Sequence, residues 1–136
     1  MARLTLDKSE KLCSPTTIER LFSREAANRQ GLVYPLRAVW RTGLPRRQDV
    51  RVARFLISVP KKRLKHAVDR VAMRRRVRES YRLSHQDFDI NDSTLDVIFI
   101  YVADKLTDYK RVDTAMKRLL KRIEESIKGE GNDGNE

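Results

Sequence analysis

Cysteine occurs once in the 136 residues, as Cys13. A single thiol closes no intramolecular disulfide and builds no cysteine-based zinc site. With only 5 Gly and 4 Pro beside 40% hydrophobic residues, the composition argues against wholesale disorder. No apolar run approaches the roughly 18 residues of a membrane-spanning helix. The N-terminal MARLTLDKSEKL leads into no apolar stretch, so no signal peptide is visible. These absences predict a cytoplasmic protein in a reducing setting, with no membrane partner. Also missing are a phosphate-binding G-x-x-x-x-G-K-[ST], a dinucleotide-binding glycine set and a nucleophile elbow. His66 and His85 are 19 positions apart, with no ligand pattern around them. Asp87, Asp89, Asp92 and Asp96 have the composition of a calcium loop but lack its spaced Gly and terminal Glu, and read as a solvated loop. Cys13 precedes a helix start with no base beside it. No residue is a candidate for catalysis or for holding a metal.

Acidic side chains are in short supply: 19 Asp and Glu face 30 Lys and Arg, giving a net charge of +11 and a pI near 10.2. Such a balance draws a protein towards polyanions. The excess is concentrated. Residues 61–82 hold ten cations against Asp69 and Glu79, a net +8, so the remaining 114 residues carry only +3.

Hydrophobic content of 40% is enough for one core in a chain of this length. Ser14-Pro15 signals a helix start, with Ser as N-cap and Pro at the first helical position. Ile18, Leu21 and Phe22 give that helix a short apolar stripe, and Gly31 marks the turn out of it. LVYPLRAVWR, residues 32–41, reads as a strand that Pro35 confines to an edge or bulges. A hairpin loop, TGLPRRQD, leads to a second strand over 51–59, which Pro60 stops. Residues 65–84 lack Gly and Pro and read as a helix. LDVIFIYVA, residues 95–103, is the most apolar strand and belongs at the centre of a sheet. The last helix starts near Thr107 or Asp108. Val112, Met116, Leu119, Leu120, Ile123 and Ile127 form its apolar face. The predicted fold is α+β: a single-domain α-β sandwich in the order α-β-β-α-β-α around a small central sheet, ribosomal-protein-like. One RNA-binding domain spans 1–128, and the acidic tail 129–136 is expected to be disordered.

Placed on a helix, Arg70, Arg74, Arg78 and Arg82 form one i, i+4 row with Arg75 alongside. Like charges at that spacing repel, and an external anion relieves them. Glu79 is within reach of Arg75 and Arg82. Met73, Val77 and Tyr81 form a neighbouring apolar row that can pin the helix to the sheet. Arginine forks match phosphate oxygens bidentately and stack on bases. The pattern points to polyanion binding without separating RNA from DNA or an acidic lipid surface. A solvated charged face is the bland alternative.

The block VPKKRLKHAVDRVAMRRRVRESYRL, residues 59–83, resembles the signature of the bacterial ribonuclease P protein component. Ser58, Val59, Lys61 and Lys62 match the end of that family's strand. Arg70, Arg74 (where the family usually has Lys), Arg75, Arg78, Glu79 and Arg82 match its helix. Val71 and Ala72 depart from the usual Asn and Arg. Leu12, Ile18 and Phe22 match its N-terminal part, and the element order agrees once the family's extra short strand is allowed for. The resemblance runs to about Ile127.

It implies a division of labour. A catalytic RNA carries the chemistry with Mg²⁺, which it binds itself, and no organic cofactor is involved. The protein would meet that RNA through Lys61, Lys62, Lys65, Arg70, Arg74, Arg75, Arg78 and Arg82. It would hold the single-stranded 5′ leader of precursor tRNA in a cleft with Ile18, Phe22, Tyr34 and Arg54, assisting endonucleolytic removal of the leader. Lys61 and Lys62 add positive charge to that cleft. Aromatic platforms beside a positive groove suit a single strand; core packing explains Ile18 and Phe22 equally well. No obligate protein partner is implied. A ribosomal or ribosome-assembly RNA-binding protein without enzymatic role is the alternative. A DNA recognition helix fits less well, because a strand and Pro60 precede the arginines.

Overall fold

Four strands and two helices occupy the residues that the structure, a computed structural model, describes: 28–43, 53–84 and 94–133. In chain order these are β1 (Arg29–Val33), β2 (Leu36–Gly43), β3 (Ala53–Ser58), α1 (Ala67–Ser84), β4 (Thr94–Tyr101) and α2 (Tyr109–Asp133). The helix expected after Pro15, with Ile18 and Phe22, lies outside the described residues, as do Cys13 and His85.

The sheet order is β1-β2-β4-β3. β1 and β2, and likewise β2 and β4, pair antiparallel, whereas β4 and β3 run parallel. A parallel pair needs a crossover connection, and α1 sits within it. β4 takes an interior place because its apolar residues face both ways. Leu95, Val97, Phe99 and Tyr101 point to the helices, and Ile98 is equally buried on the other face. Two expectations change as a result. The strand predicted over 32–41 is two strands, β1 and β2, which reverse at Tyr34-Pro35. Pro35 thus neither bulges a strand nor confines β2 to an edge. It sits at the turn, where a missing N–H removes no ladder bond, and its carbonyl accepts from the Val102 N–H at 2.9 Å. Nor do β2 and β3 form a hairpin, because β4 lies between them.

Gly31 is not a turn residue but the middle of β1. A Cβ there would stand 3.4 Å from the Trp40 ring and 3.6 Å from Leu119, so its bare backbone leaves room for the indole beneath α2. Trp40, Leu36 and Ala38 of β2 and Phe55 of β3 complete the helix-facing side of the sheet. α1 adds Met73, Val77 and Tyr81, spaced four residues apart on one stripe. The Tyr81 ring packs on Phe55 at 4.4 Å and Phe99 at 5.6 Å between centroids. Burying each such side chain contributes about 1.5–3 kcal/mol.

α2 covers the same face through Val112, Met116, Leu119 and Ile123. Its first bond runs from the Val112 N–H to the Asp108 carbonyl (3.2 Å), which makes Asp108 the residue at the start. α2 continues past Gly129 to Asp133. A helical glycine costs only about 1 kcal/mol, so Gly129 and Gly131 are weak stops without a proline.

Candidate nucleic-acid interface

The cationic surface begins in the turn after β3. The Pro60 carbonyl accepts from the N–H groups of Arg63 (3.0 Å) and Leu64 (3.3 Å), and the Leu64 side chain is buried. Arg63 pairs with Asp104 at 3.1 Å. Lys61, Lys62 and Lys65 are left exposed on the outside of the turn. Helix α1 follows directly, and Asp69 in its first turn suits the positive end of the helix dipole.

The arginines of α1 divide into two groups. Arg74, Arg75 and Arg78 are exposed and make no hydrogen bond or ion pair among the described residues. Arg70 and Arg82, placed in the same row by the sequence, are half-buried and internally engaged. Arg70 donates through Nη1 to the carbonyls of Leu64 and Lys65, both at 2.8 Å, and so fastens the turn to the helix. Arg82 donates through Nε to Glu79 Oε2 at 3.1 Å and makes a second, closer contact to Oε1. This hydrogen bonding holds the Glu79 carboxyl below the usual carboxylate range and raises Arg82 in turn. Arg75, the other arginine within reach of Glu79 on sequence, makes no such bond among the described residues. The surface therefore presents six exposed cations: Lys61, Lys62, Lys65, Arg74, Arg75 and Arg78. Val71 and Ala72 lie on the same helix, Val71 exposed and Ala72 half-buried.

Arg76, not singled out by the sequence, has a structural place. Its Nη1 donates to the Thr107 carbonyl at 2.6 Å and lies 3.6 Å from Met73 Sδ. Thr107 Oγ1 is 2.6 Å from the Tyr101 hydroxyl, which also donates to the Lys105 carbonyl. Burial pushes the Tyr101 phenol above its ordinary pKa. α1 is thus tied to the entry of α2, and Ser80 Oγ donates to Asp113 Oδ1 at 2.7 Å across the two helices.

The described leader-cleft candidates do not come together. Tyr34, 62% exposed, stands at the hairpin tip facing the first turns of α2. Arg54 lies on the opposite face of the sheet, where its Nε donates to Asp96 Oδ1 at 3.1 Å. The β2 register sets Leu36 level with Tyr101, while Arg54 is level with Asp96. Five residues of strand, about 17 Å, separate the two levels. Lys61 and Lys62 emerge at the Tyr34 end, since Ser58 is level with Ile100.

This arrangement of arginine helix, crossover and sheet has counterparts. The family model for ribonuclease P matches residues 6–124. The ribonuclease P protein component of Porphyromonas gingivalis strain W83 is 38% identical over 124 residues, 87% of this chain and 85% of that protein. Its counterpart in strain ATCC 33277 is 37% identical over 128 residues, covering 90% and 88%. The chain belongs to the ribonuclease P protein component family. The fold agrees with solved structures of the RNase P protein from Staphylococcus aureus. One is 20% identical with a TM-score of 0.59, covering 85% of this chain and 96% of that one. A mutant with defective mRNA degradation activity is 18% identical with a TM-score of 0.63, covering 85% and 89%. β1 is the short strand that composition merges with its neighbour. No described helix is long and apolar enough to cross a membrane.

Proposed function

We propose that the chain is the protein subunit of a ribonuclease P, assisting endonucleolytic removal of the 5′ leader from precursor tRNA in the cytoplasm. The observation that carries this reading is the run of six exposed cations along the β3–α1 turn and α1, in a member of this family. Arg74, Arg75 and Arg78 would lie against phosphates of the catalytic RNA, with Lys61, Lys62 and Lys65 extending the contact. Arg70 and Arg82 support that surface from behind. Tyr34 offers its ring to a base of the leader. Arg54, Ile18 and Phe22 are further leader contacts in this reading, Ile18 and Phe22 lying outside the described residues.

Chemistry is assigned to the RNA and its Mg²⁺. Among the described residues no three His, Cys, Asp or Glu side chains group to hold a metal ion. The test combines the chain with a ribonuclease P RNA and precursor tRNA at low Mg²⁺. Cleavage at the mature 5′ end should be stimulated, and the chain without RNA should cleave nothing. Binding of the RNA without stimulation would instead favour a ribosomal or ribosome-assembly role. Cleavage by the protein alone would overturn an RNA-catalysed mechanism.

A further inference from the structure

Helix α2 carries a second set of cations on its outward side. Between residues 109 and 125 it holds six Lys and Arg against three acids. The cations fall into two rows of the same spacing, i, i+7, i+11: Lys110, Lys117 and Lys121, and one residue later Arg111, Arg118 and Arg122. On a helix such rows run side by side along the axis, about 100° apart. Exposed Thr114 sits between them, its hydroxyl donating to the Lys110 carbonyl at 3.0 Å. Lys117 and Lys121 line the groove towards α1, beside Leu83 and Ser84. Arg111 and Arg118, with Lys110 at the start of the helix, line the cleft towards the hairpin tip. The side chains of Lys110, Arg111, Arg118 and Lys121 are exposed and make no hydrogen bond or ion pair among the described residues. Lys117 pairs with Asp113 at 3.0 Å yet is 66% exposed, and Arg122 donates to the Leu32 carbonyl at 3.1 Å.

Two parallel lines of charge with a short hydroxyl between them match two lines of phosphates with a groove between. Each line runs roughly 16 Å along the axis. Residues 110–125 contain no aromatic side chain, so this crest has no platform for unstacked bases, which a single-strand site needs. A-form RNA offers the complement: a wide, shallow minor groove with phosphates on either side and 2′-hydroxyls within it. Arginine forks and lysine ammonium groups take the phosphates, and Thr114 is short enough to let the crest approach the riboses. The crest also points away from the first cationic surface. Arg76 and Ser80 are the α1 residues turned to the α2 side. Arg78 is two residues from each, roughly 200° around the helix.

We propose that the outward crest of α2 seats in the minor groove of an RNA stem, and that the chain thereby bridges two RNA segments, one on the α1 arginines and a stem on α2. The first half of that bridge rests on the function proposed above. The second half stands on the α2 geometry alone. Tyr34 has no part in it, since a paired stem offers no free base to stack.

The test titrates the full chain with a fluorescent, blunt-ended RNA duplex of about 16 base pairs, a length that a minor-groove domain covers, at several salt concentrations. An Arg74→Ala/Arg78→Ala chain serves as the background, so that the α1 surface is weakened. Adding Lys110→Ala/Arg111→Ala/Arg118→Ala/Lys121→Ala should lower affinity at least tenfold and make the log–log salt slope shallower by about three, at roughly 0.9 per phosphate contact on a duplex. Thr114→Glu removes no cation and suits a helix; by setting a carboxylate on the crest it should weaken duplex binding roughly tenfold. Tyr34→Ala should leave it unchanged. Donor- and acceptor-labelled duplexes should show energy transfer on the wild-type chain and lose it in either the α1 or the α2 variant. Ribonuclease P RNA or leaderless tRNA should displace the duplex, and the one that does carries the stem. Unchanged affinity and slope in the fourfold α2 variant would overturn the proposal. So would an equal loss for a single-stranded oligonucleotide or for polyglutamate, which would mark an unselective polyanion patch. A Tyr34→Ala effect as large as that of Thr114→Glu would move the ligand into the hairpin cleft, again against the proposal. Absence of transfer on the wild-type chain, or transfer that survives in the α2 variant, would overturn the bridge. Failure of the wild-type chain to stimulate a ribonuclease P RNA would sink the proposed function and the identity of the RNA on α1, while the titration would still decide whether α2 binds a stem.

Discussion

Arg70 and Arg74 are one helical turn apart and do different work. Arg70 spends its guanidinium on two carbonyls of the preceding turn, while Arg74 and Arg78 are exposed. Arg70→Ala should therefore cost about 1.5–3 kcal/mol of stability, as expected for hydrogen bonds from a charged donor. Arg74→Ala/Arg78→Ala should stay within about 0.5 kcal/mol per site, yet reduce the salt slope for the catalytic RNA by about two. Urea unfolding and salt-dependent binding on both variants check the split. An Arg70→Ala protein of full stability would contradict the capping role. The i, i+4 row itself was legible in the sequence. Which arginines stay free was not, because Arg70 answers to the carbonyl positions of a turn formed by Pro60 and the buried Leu64. Tyr34 and Arg54 show the same limit: the family resemblance groups them, but Tyr34 stands at the hairpin tip beside α2, whereas Arg54 pairs with Asp96 on the other face of the sheet, about 17 Å along the strands from the level of Leu36.

Elements are held at the base of the sheet by a chain of polar contacts. Arg76 reaches from α1 to the Thr107 carbonyl, and Thr107 meets the Tyr101 hydroxyl from β4. Burial raises the Tyr101 pKa, so the folded chain retains this phenolic proton after the unfolded chain has lost it. The associated stability is full below the ordinary tyrosine pKa near 10 and is lost as pH rises through and above it. Tyr101→Phe should flatten this alkaline loss in urea unfolding measured at neutral and alkaline pH. It should not abolish the loss, because Tyr109 is also raised, chiefly by burial. Equal alkaline slopes in variant and wild type would refute the role of Tyr101. The apolar periods of α1, α2 and β4 were readable because each buries a continuous stripe or both faces. The β1–β2 reversal was missed because Tyr34-Pro35 lies inside an unbroken β-prone run. The misplaced β2–β3 hairpin reflects sequence adjacency, which carries no information about β4 entering between them.

At the scale of the whole molecule, the exposed cations of α1 and of α2 flank a pair of helices lying on one side of the sheet. Net charge located the first group, since ten cations crowd into the 22 residues that contain it. The second was hidden by acids in the same helix, and only the fold shows that Asp113 is turned towards Ser80 and Lys117 while Lys110, Arg111 and Arg118 face the hairpin. Trp40, the sole tryptophan, lies between these surfaces. It is 4% exposed beneath Leu119, and its indole N–H has no acceptor among the described residues. An indole in so dry a setting should emit at short wavelength. Because it is shielded from solvent, its colour should hold while RNA saturates the α1 arginines, and should shift to the red only when α2 lifts from the sheet. The protein thus contains one native fluorophore that distinguishes occupied from unfolded, and a red shift on adding RNA to a still-folded chain would show that binding pries the last helix away.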